Sequence, residues 1–327
     1  MMKEKEIRNP EILKQYIELV KKDVKDFFNF RRFVKVQCPA CAGTKNKSEF
    51  SKDGFKYVSC DNCSTLFVNP RPDLEVLKRF YADSPSTKFW VEDFFKPFVD
   101  ARREKIFRPR AEHIRDVFSD EKKMVIGDIG AGFGIFLDEF RKLVPDSRCI
   151  AIEPSKDMAR LCREKGLEVQ SVCMEDMKAM DHTFDLLTAF ELIEHLFDPC
   201  DFLKRANALL KSNGHLFITT LNGKGFDTLL LWERSKSITP PHHLNFFNTD
   251  SIRQLLERCG FEIIEICTPG RIDWDIVEGA IKNDGINAGR LWEFIAQRSG
   301  LETKKELQEW ISKNNLSSHM RVVARKK

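Results

Sequence analysis

The chain has 327 residues, 42% hydrophobic and 32% charged, with a net charge of +4; this suits one large globular domain with appendages, or two domains, and excludes a disordered or fibrous class. No apolar run reaches membrane-spanning length and residues 1–11 lack a signal-peptide core, so we expect a cytoplasmic protein with no membrane partner. Residues 1–35 hold ten Lys/Arg against six Asp/Glu, which is the whole charge excess and too faint a stripe for a typical nucleic-acid binder.

In chain order, residues 10–33 read as an amphipathic helix, with Ile12, Tyr16, Val20, Val24 and Phe28 at turn spacing and Arg31 and Arg32 at its end. Cys38-Pro39-Ala40-Cys41 and Cys60-Asp61-Asn62-Cys63 follow, separated by eighteen residues. This is zinc-ribbon spacing. Two residues between cysteines let both thiolates of a knuckle reach one ion, and two knuckles complete a closed shell of four sulfurs, which is structural and not catalytic. A redox dithiol, the competing reading, needs one pair and not two. Between the knuckles, Asp53-Gly54 predicts a hairpin turn within residues 50–58. The other six cysteines (Cys149, Cys162, Cys173, Cys200, Cys259, Cys267) fall singly in strands and helices and read as core thiols; without an export signal no disulfide framework is expected.

Leu66-Phe67-Val68-Asn69-Pro70-Arg71-Pro72 leads into a helix over 73–81 with Asp73 as N-cap. Residues 85–118 carry Phe89, Trp90, Phe94, Phe95 and Phe98 and then Arg102, Arg103, Arg108 and Arg110. Their aromatic spacing predicts core-facing helices that join the ribbon to the next domain and cover its ligand. A nucleic-acid surface of interleaved bases and aromatics is the alternative.

Residues 124–126 are a short apolar run, a buried strand, followed by Asp128 and a Gly130, Gly132, Gly134 turn that opens a helix over 134–143. A second strand over 149–152 delivers Glu153 to the same crevice, outside the carboxyl ends of a parallel sheet. A dinucleotide fingerprint needs glycine where Ile135 stands. Asp128 would repel a pyrophosphate and instead suits a cation. S-adenosylmethionine (SAM) brings an ammonium, a sulfonium and two ribose hydroxyls for Glu153. A turn packed tightly for structural reasons alone is the rival. The chain then alternates helix 155–165, strand 168–172, strand 185–190, helix 199–211, strand 214–220, helix 249–259 and strand 261–267, with a last strand near 318–325; this predicts a doubly wound α/β sheet.

The order and spacing of Asp128-Ile129-Gly130-Ala131-Gly132-Phe133-Gly134, Ala151-Ile152-Glu153-Pro154-Ser155, Glu194-His195-Leu196-Phe197-Asp198-Pro199, Leu209 to Leu216 and His243-Leu244-Asn245-Phe246-Phe247 resemble class I SAM-dependent methyltransferases over about two-thirds of the chain. The ribbon, Asn69-Pro70-Arg71-Pro72 and Phe80-Tyr81 resemble a subgroup with an N-terminal zinc ribbon, many of which modify sugars, surface glycans or secondary metabolites. The resemblance implies a Rossmann-like fold with an N-terminal four-cysteine zinc ribbon and helical additions: an N-terminal helix (1–33), ribbon and following helix (34–82), helical connector (83–118) and methyltransferase domain (119–327). It also implies a final antiparallel hairpin pairing 261–267 with 319–325 around a helical insertion at about 273–313.

The same resemblance implies SAM contacts from Asp128, Gly130, Ala131, Gly132, Gly134, Glu153 and Pro154, from Asp176 and Met177 beside the adenine, and from Phe190. Met177-Lys178-Ala179 departs from the L-P-F of relatives, and a solvated loop acid is the other reading of Asp176. Structural zinc falls to Cys38, Cys41, Cys60 and Cys63. Methyl transfer is an in-line displacement in which the acceptor is aligned and usually loses a proton. Glu191, His195 and His243 are the candidates for that work, the two histidines each with a structural reading beside it; zinc at His242 and His243 is not expected without nearby partners. Residues 222–239 read as a lid, or as a docked helix carrying Phe226 and Trp232. The leading expectation is a methyltransferase acting on a small molecule, such as a nucleotide sugar or a glycan or secondary-metabolite intermediate. The rivals are an RNA methyltransferase and a non-catalytic SAM-binding module.

Overall fold

The computed structural model describes residues 3–7, 9–118, 123–177 and 180–327; the expected boundary at 118/119 abuts residues outside that description, and Lys178-Ala179 lie outside it. The N-terminal helix, Pro10–Phe27, is capped by Asn9, which accepts from the Glu11 amide at 2.9 Å. It buries Leu13, Tyr16, Val20 and Val24. Burial of each such side chain stabilises by about 1.5–3 kcal/mol, which outweighs the smaller helix-propensity cost of the valines. The helix stops short of the expected residue 33. Phe28 turns extended, and Asn29 starts a separate 3-10 turn, Phe30–Arg32, by accepting from the Arg31 amide.

The strands in chain order are β1 (Asn46–Lys52), β2 (Phe55–Cys60), β3 (Leu66–Val68), β4 (Val125–Ile129), β5 (Arg148–Ile152), β6 (Glu168–Gln170), β7 (Phe184–Phe190), β8 (Leu210–Leu221), β9 (Asn245–Phe246), β10 (Phe261–Cys267) and β11 (His319–Lys326). The β1–β2 hairpin turns at Asp53 and Gly54, both at positive φ. Asp73 caps the helix Leu74–Asp83 by accepting from Val76 N. The connector is a run of short helices, Pro85–Phe89, Val99–Arg102 and Arg108–Val117, interrupted by π-helical turns at Trp90–Phe95 and Arg103–Phe107.

The large sheet has seven strands in the order β10-β11-β8-β7-β4-β5-β6. β4 pairs in parallel with β5 and β7, β5 with β6 and β7 with β8, while β11 runs antiparallel to both β8 and β10. The chain winds outward from β4 to β6 and then returns to β7, so the topological switch, and with it the crevice for a ligand, lies between β4 and β7. Helices Asp273–Asp284, Arg290–Arg298 and Leu301–Lys313 fill the interval between β10 and β11.

The ribbon is not closed on itself. Its sheet has a fourth strand, β9, which pairs with β3. Cys38, Cys60, Cys63 and Phe67 share one hydrophobic core with Phe184, Leu187 and Phe247 of the methyltransferase part. The ribbon segment 34–82 thus completes its sheet and its core with residues of the methyltransferase part. Two of the remaining cysteines meet in space: the Cys200 and Cys259 sulfurs, at the ends of adjacent helices, lie 3.3 Å apart as free thiols.

Candidate active site

The cofactor-side candidates gather at the ends of β4 and β5. Gly130, Gly132 and Gly134 all have positive φ (70°, 54° and 66°), conformations L side chains rarely adopt. A Cβ on Gly134 would also fall 2.8 Å from Leu167. The Gly134 amide donates to Ala131 O at 2.8 Å, which closes the turn into the helix Ile135–Leu143. Glu153 is buried, and its two oxygens accept from Gly132 N (2.8 Å) and Ser155 N (2.9 Å). Burial raises its carboxyl above the ordinary value, and the two amides partly offset this. Asp128 sits inside β4, 2% exposed, and accepts from Thr188 Oγ1 at 2.7 Å. Burial pushes its carboxyl up to about 7, against the Thr188 hydrogen bond and with help from Glu153. A carboxyl so desolvated fits a cationic ligand far better than an anionic one. Pro154 is exposed beside Glu153; Asp176 is exposed on the 3-10 turn Met174–Asp176, and Met177 is buried. Phe190 packs edge-on against Phe136, with rings 4.8 Å apart, and carries the Arg110 guanidinium over its face at 4.9 Å.

The acceptor-side candidates lie at the ends of β7 and β8. Glu191 has φ 50°, a strained backbone for a residue with a side chain. Its Oε1 accepts from Thr219 Oγ1 (2.6 Å) and Arg110 (3.1 Å), with His319 Nδ1 at 3.4 Å. Burial works to raise Glu191, but His319, Arg110 and Thr219 overcome it and hold the carboxyl below the usual range. Glu194 is buried and accepts from Thr220 Oγ1 at 2.8 Å; burial, then the nearby Glu191 charge, pushes it up to about 8.

His195 and His243 come together from two loops, with ring centroids 4.8 Å apart. His243 Nδ1 lies 2.5 Å from Ser237 O. A carbonyl only accepts, so Nδ1 carries the proton and the neutral ring keeps its lone pair on Nε2. His195 Nδ1 faces Tyr81 Oη at 3.2 Å, and burial, then the other two histidines, holds its pKa well below the ordinary value. His242 points elsewhere, into the Tyr16, Phe80 and Tyr81 rings, and burial draws it down to about 3. His242 and His243 do not form a joint donor set; His243 instead joins Glu194 and His195, whose donor atoms lie within 4.8 Å of one another and of its own.

Several residues of this site escaped the sequence reading. Arg110 and His319 reach Glu191 from the connector and from β11, and Tyr57 Oη donates to His243 O at 2.8 Å. Tyr81 and Arg71 stand in the segments Phe80-Tyr81 and Asn69-Pro70-Arg71-Pro72, whose resemblance to the ribbon-bearing subgroup was the available signal. Residues 222–239 form a docked element: Phe226 packs against Trp292 of the insertion and Trp232 against Phe50 of the ribbon.

The four ribbon cysteines converge, with Cys38–Cys63 and Cys41–Cys60 sulfurs each 3.5 Å apart. A tetrahedral zinc with Zn–S of about 2.3 Å needs sulfurs about 3.8 Å apart, so the donor set fits.

A methyltransferase-domain family model matches residues 100–266, just over half of the chain. The chain belongs to that family. This methyltransferase, a SAM-dependent enzyme of class I, is 25% identical over 174 residues to a ubiquinone biosynthesis O-methyltransferase of Vibrio cholerae, covering 50% of this chain and 67% of that one. A protein of the same description from Xanthomonas oryzae is 34% identical over 104 residues, 29% of this chain and 42% of its own. The solved 1,6-didemethyltoxoflavin-N1-methyltransferase of Burkholderia thailandensis, with S-adenosylhomocysteine bound, shares the fold at a TM-score of 0.51 and 12% identity, covering 86% of this methyltransferase and 99% of that chain. No helix among the described residues is long and apolar enough to cross a membrane.

Proposed function

We propose that this methyltransferase moves the methyl group of SAM to a small-molecule acceptor, with a nucleotide sugar or a glycan or secondary-metabolite intermediate as the leading class. The observation that carries the reading is the His195–His243 pair beyond β7 and β8, beside the desolvated Asp128 crevice at the end of β4. Asp128 offers its carboxylate to the cationic end of SAM, Glu153 retains lone pairs for two ribose hydroxyls, Asp176 and Met177 border the adenine, and Phe190 lines the cofactor crevice. SAM supplies an activated methyl on a sulfonium. His243, with its lone pair on Nε2, takes the acceptor proton; His195 and Glu191 align the acceptor. Zinc at Cys38, Cys41, Cys60 and Cys63 is structural. The ubiquinone-pathway relatives support a small organic acceptor. Three of the four connector arginines support this class over RNA, because acids of the chain already pair with them: Arg103 with Asp138 and Glu139, Arg108 with Glu139, and Arg110 with Glu191.

Native mass spectrometry of the protein beside Asp128→Asn tests the reading, followed by an acceptor screen. We expect one zinc in both proteins, and SAM or its demethylated product in the parent alone. A parent that holds no nucleoside, even with SAM added, refutes the assignment of this crevice.

A further inference from the structure

Three of the groups that brace the His195 and His243 loops come from outside the matched residues 100–266: Tyr57, Tyr81 and, reaching both loops, Arg71. Its side chain is fully buried and donates in three directions: to Val68 O on β3 (3.1 Å), to Phe197 O in the turn after His195 (2.9 Å), and to Asn245 Oδ1 on β9 (2.9 Å). Asn245 Nδ2 in turn donates to Leu196 O at 2.8 Å, and the Leu244 amide donates to Glu194 O at 2.9 Å. One guanidinium thus ties the ribbon, the loop of His195 and the strand that follows His243. Arginine suits this post because its planar fork satisfies several fixed acceptors at once, which a lysine ammonium does not.

The ribbon's cysteine knuckles also hold the residues that follow this strand. Asn248 Nδ2 donates to the carbonyl of Cys63 at 2.9 Å, and Arg258 donates to Ala40 O inside the first knuckle. The carboxylates of the cofactor crevice are held differently: Glu153 by Gly132 and Ser155, and Asp128 by Thr188, all within the large-sheet unit.

We propose that Arg71 is a positioning residue for methyl transfer, through which the metal in the ribbon sets the acceptor side of the site and not the cofactor side. The inference rests on the reading of His195 and His243 as the acceptor-side pair. Zinc closes the knuckles, the knuckles hold β9 through Cys63 and Asn248, and Arg71 then fixes the spacing of the two histidine loops. Removing any one of these links frees both loops while the glycine turn keeps its shape.

The test uses the full-length, zinc-loaded protein and needs no acceptor. Arg71→Met and the milder Asn248→Ala are compared with the parent, before and after zinc is stripped from the parent by a chelator. The measurements are zinc content, calorimetric affinity for S-adenosylhomocysteine, amide hydrogen exchange, and 15N signals of the imidazoles. We expect the variants to keep their zinc and cofactor affinity within about twofold, while exchange at 193–197 and 243–247 rises about tenfold. The His243 nitrogens should lose their single-tautomer signature, and the stripped parent should show the same pattern. Unchanged histidine signals in the stripped parent overturn the proposal, as does a loss of cofactor affinity that parallels the change in exchange. If Arg71→Met does not fold, Asn248→Ala and the stripped parent decide. A protein that methylates none of the acceptors screened would leave these readouts as they are, so the two readings fail separately.

Discussion

The two ends of the candidate active site are built by different rules. At the cofactor end the frame is local: a strand, three glycines, a helix and the next strand bring Asp128 and Glu153 together within about thirty residues; Glu153 is held by backbone amides of that segment, and only Asp128 has a more distant partner, Thr188, 60 residues on. At the acceptor end most of the support is distant, the Ser237 carbonyl beside His243 Nδ1 being the local exception. Glu191 is held by Arg110 and His319, His195 by Tyr81, and His243 by Tyr57, across separations of 81 to 186 residues in the bonded pairs. Tyr57, Tyr81 and His319 of the acceptor end lie outside the residues the family model matches, whereas Asp128 and Glu153 lie inside them.

The comparison can be broken most sharply at His243. His243→Ala removes the proposed base and should lower kcat by about 10²–10⁴-fold on the identified acceptor, as loss of general-base catalysis does, while calorimetry shows SAM affinity unchanged. A parallel loss of cofactor affinity would mean that the two ends are not separable. At the cofactor end the lever is pH. Asp128 titrates at about 7 in the free protein, above its ordinary 3.8. A bound cation favours its charged form, so SAM should bind about tenfold more tightly at pH 7 than at pH 5.5, where the cofactor must first displace a proton. The same raised value means that the unliganded fold binds an extra proton between about pH 4 and 7, so Asp128 subtracts stability as pH rises through that window. Melting curves with and without SAM at the two pH values check both signs; an equal ligand-induced shift at both would refute the Asp128 contact. The smallest effect is expected at Tyr57→Phe, which removes one hydrogen bond to His243 O and should cost about 1 kcal/mol of thermal stability with cofactor affinity intact.

What the sequence made legible follows the same division. The glycine turn, Glu153, the strand–helix alternation and both cysteine knuckles are short-range patterns, and periodicity and spacing report short-range structure. The pairing of 261–267 with the last strand was also readable, through family resemblance, and β10 and β11 pair from Phe261↔Lys326 onward. Arg110 was visible only as one arginine among several, because nothing near it in sequence signals that Glu191 will lie 3.1 Å away. Arg71 gave a stronger hint by standing between two prolines after the second knuckle, yet its acceptors Phe197 and Asn245 lie 126 and 174 residues on. The first helix was read too long because hydrophobic spacing continues through Phe28, whereas the side chain of Asn29 competes for the backbone and ends it.

The two-residue strand β9 has a consequence for the order in which the chain assembles. A ribosome releases the knuckles and β1–β3 early, but the partner of β3 lies at Asn245–Phe246, about 180 residues later. Until then β3 is an open sheet edge with apolar Leu66, Phe67 and Val68 along it, the kind of surface on which nascent chains adhere to one another. A metal held by the four cysteines would close the knuckles during this wait but would leave the edge bare; only the arrival of the segment that carries His243 covers it, so the ribbon sheet is completed by residues next to a candidate catalytic histidine.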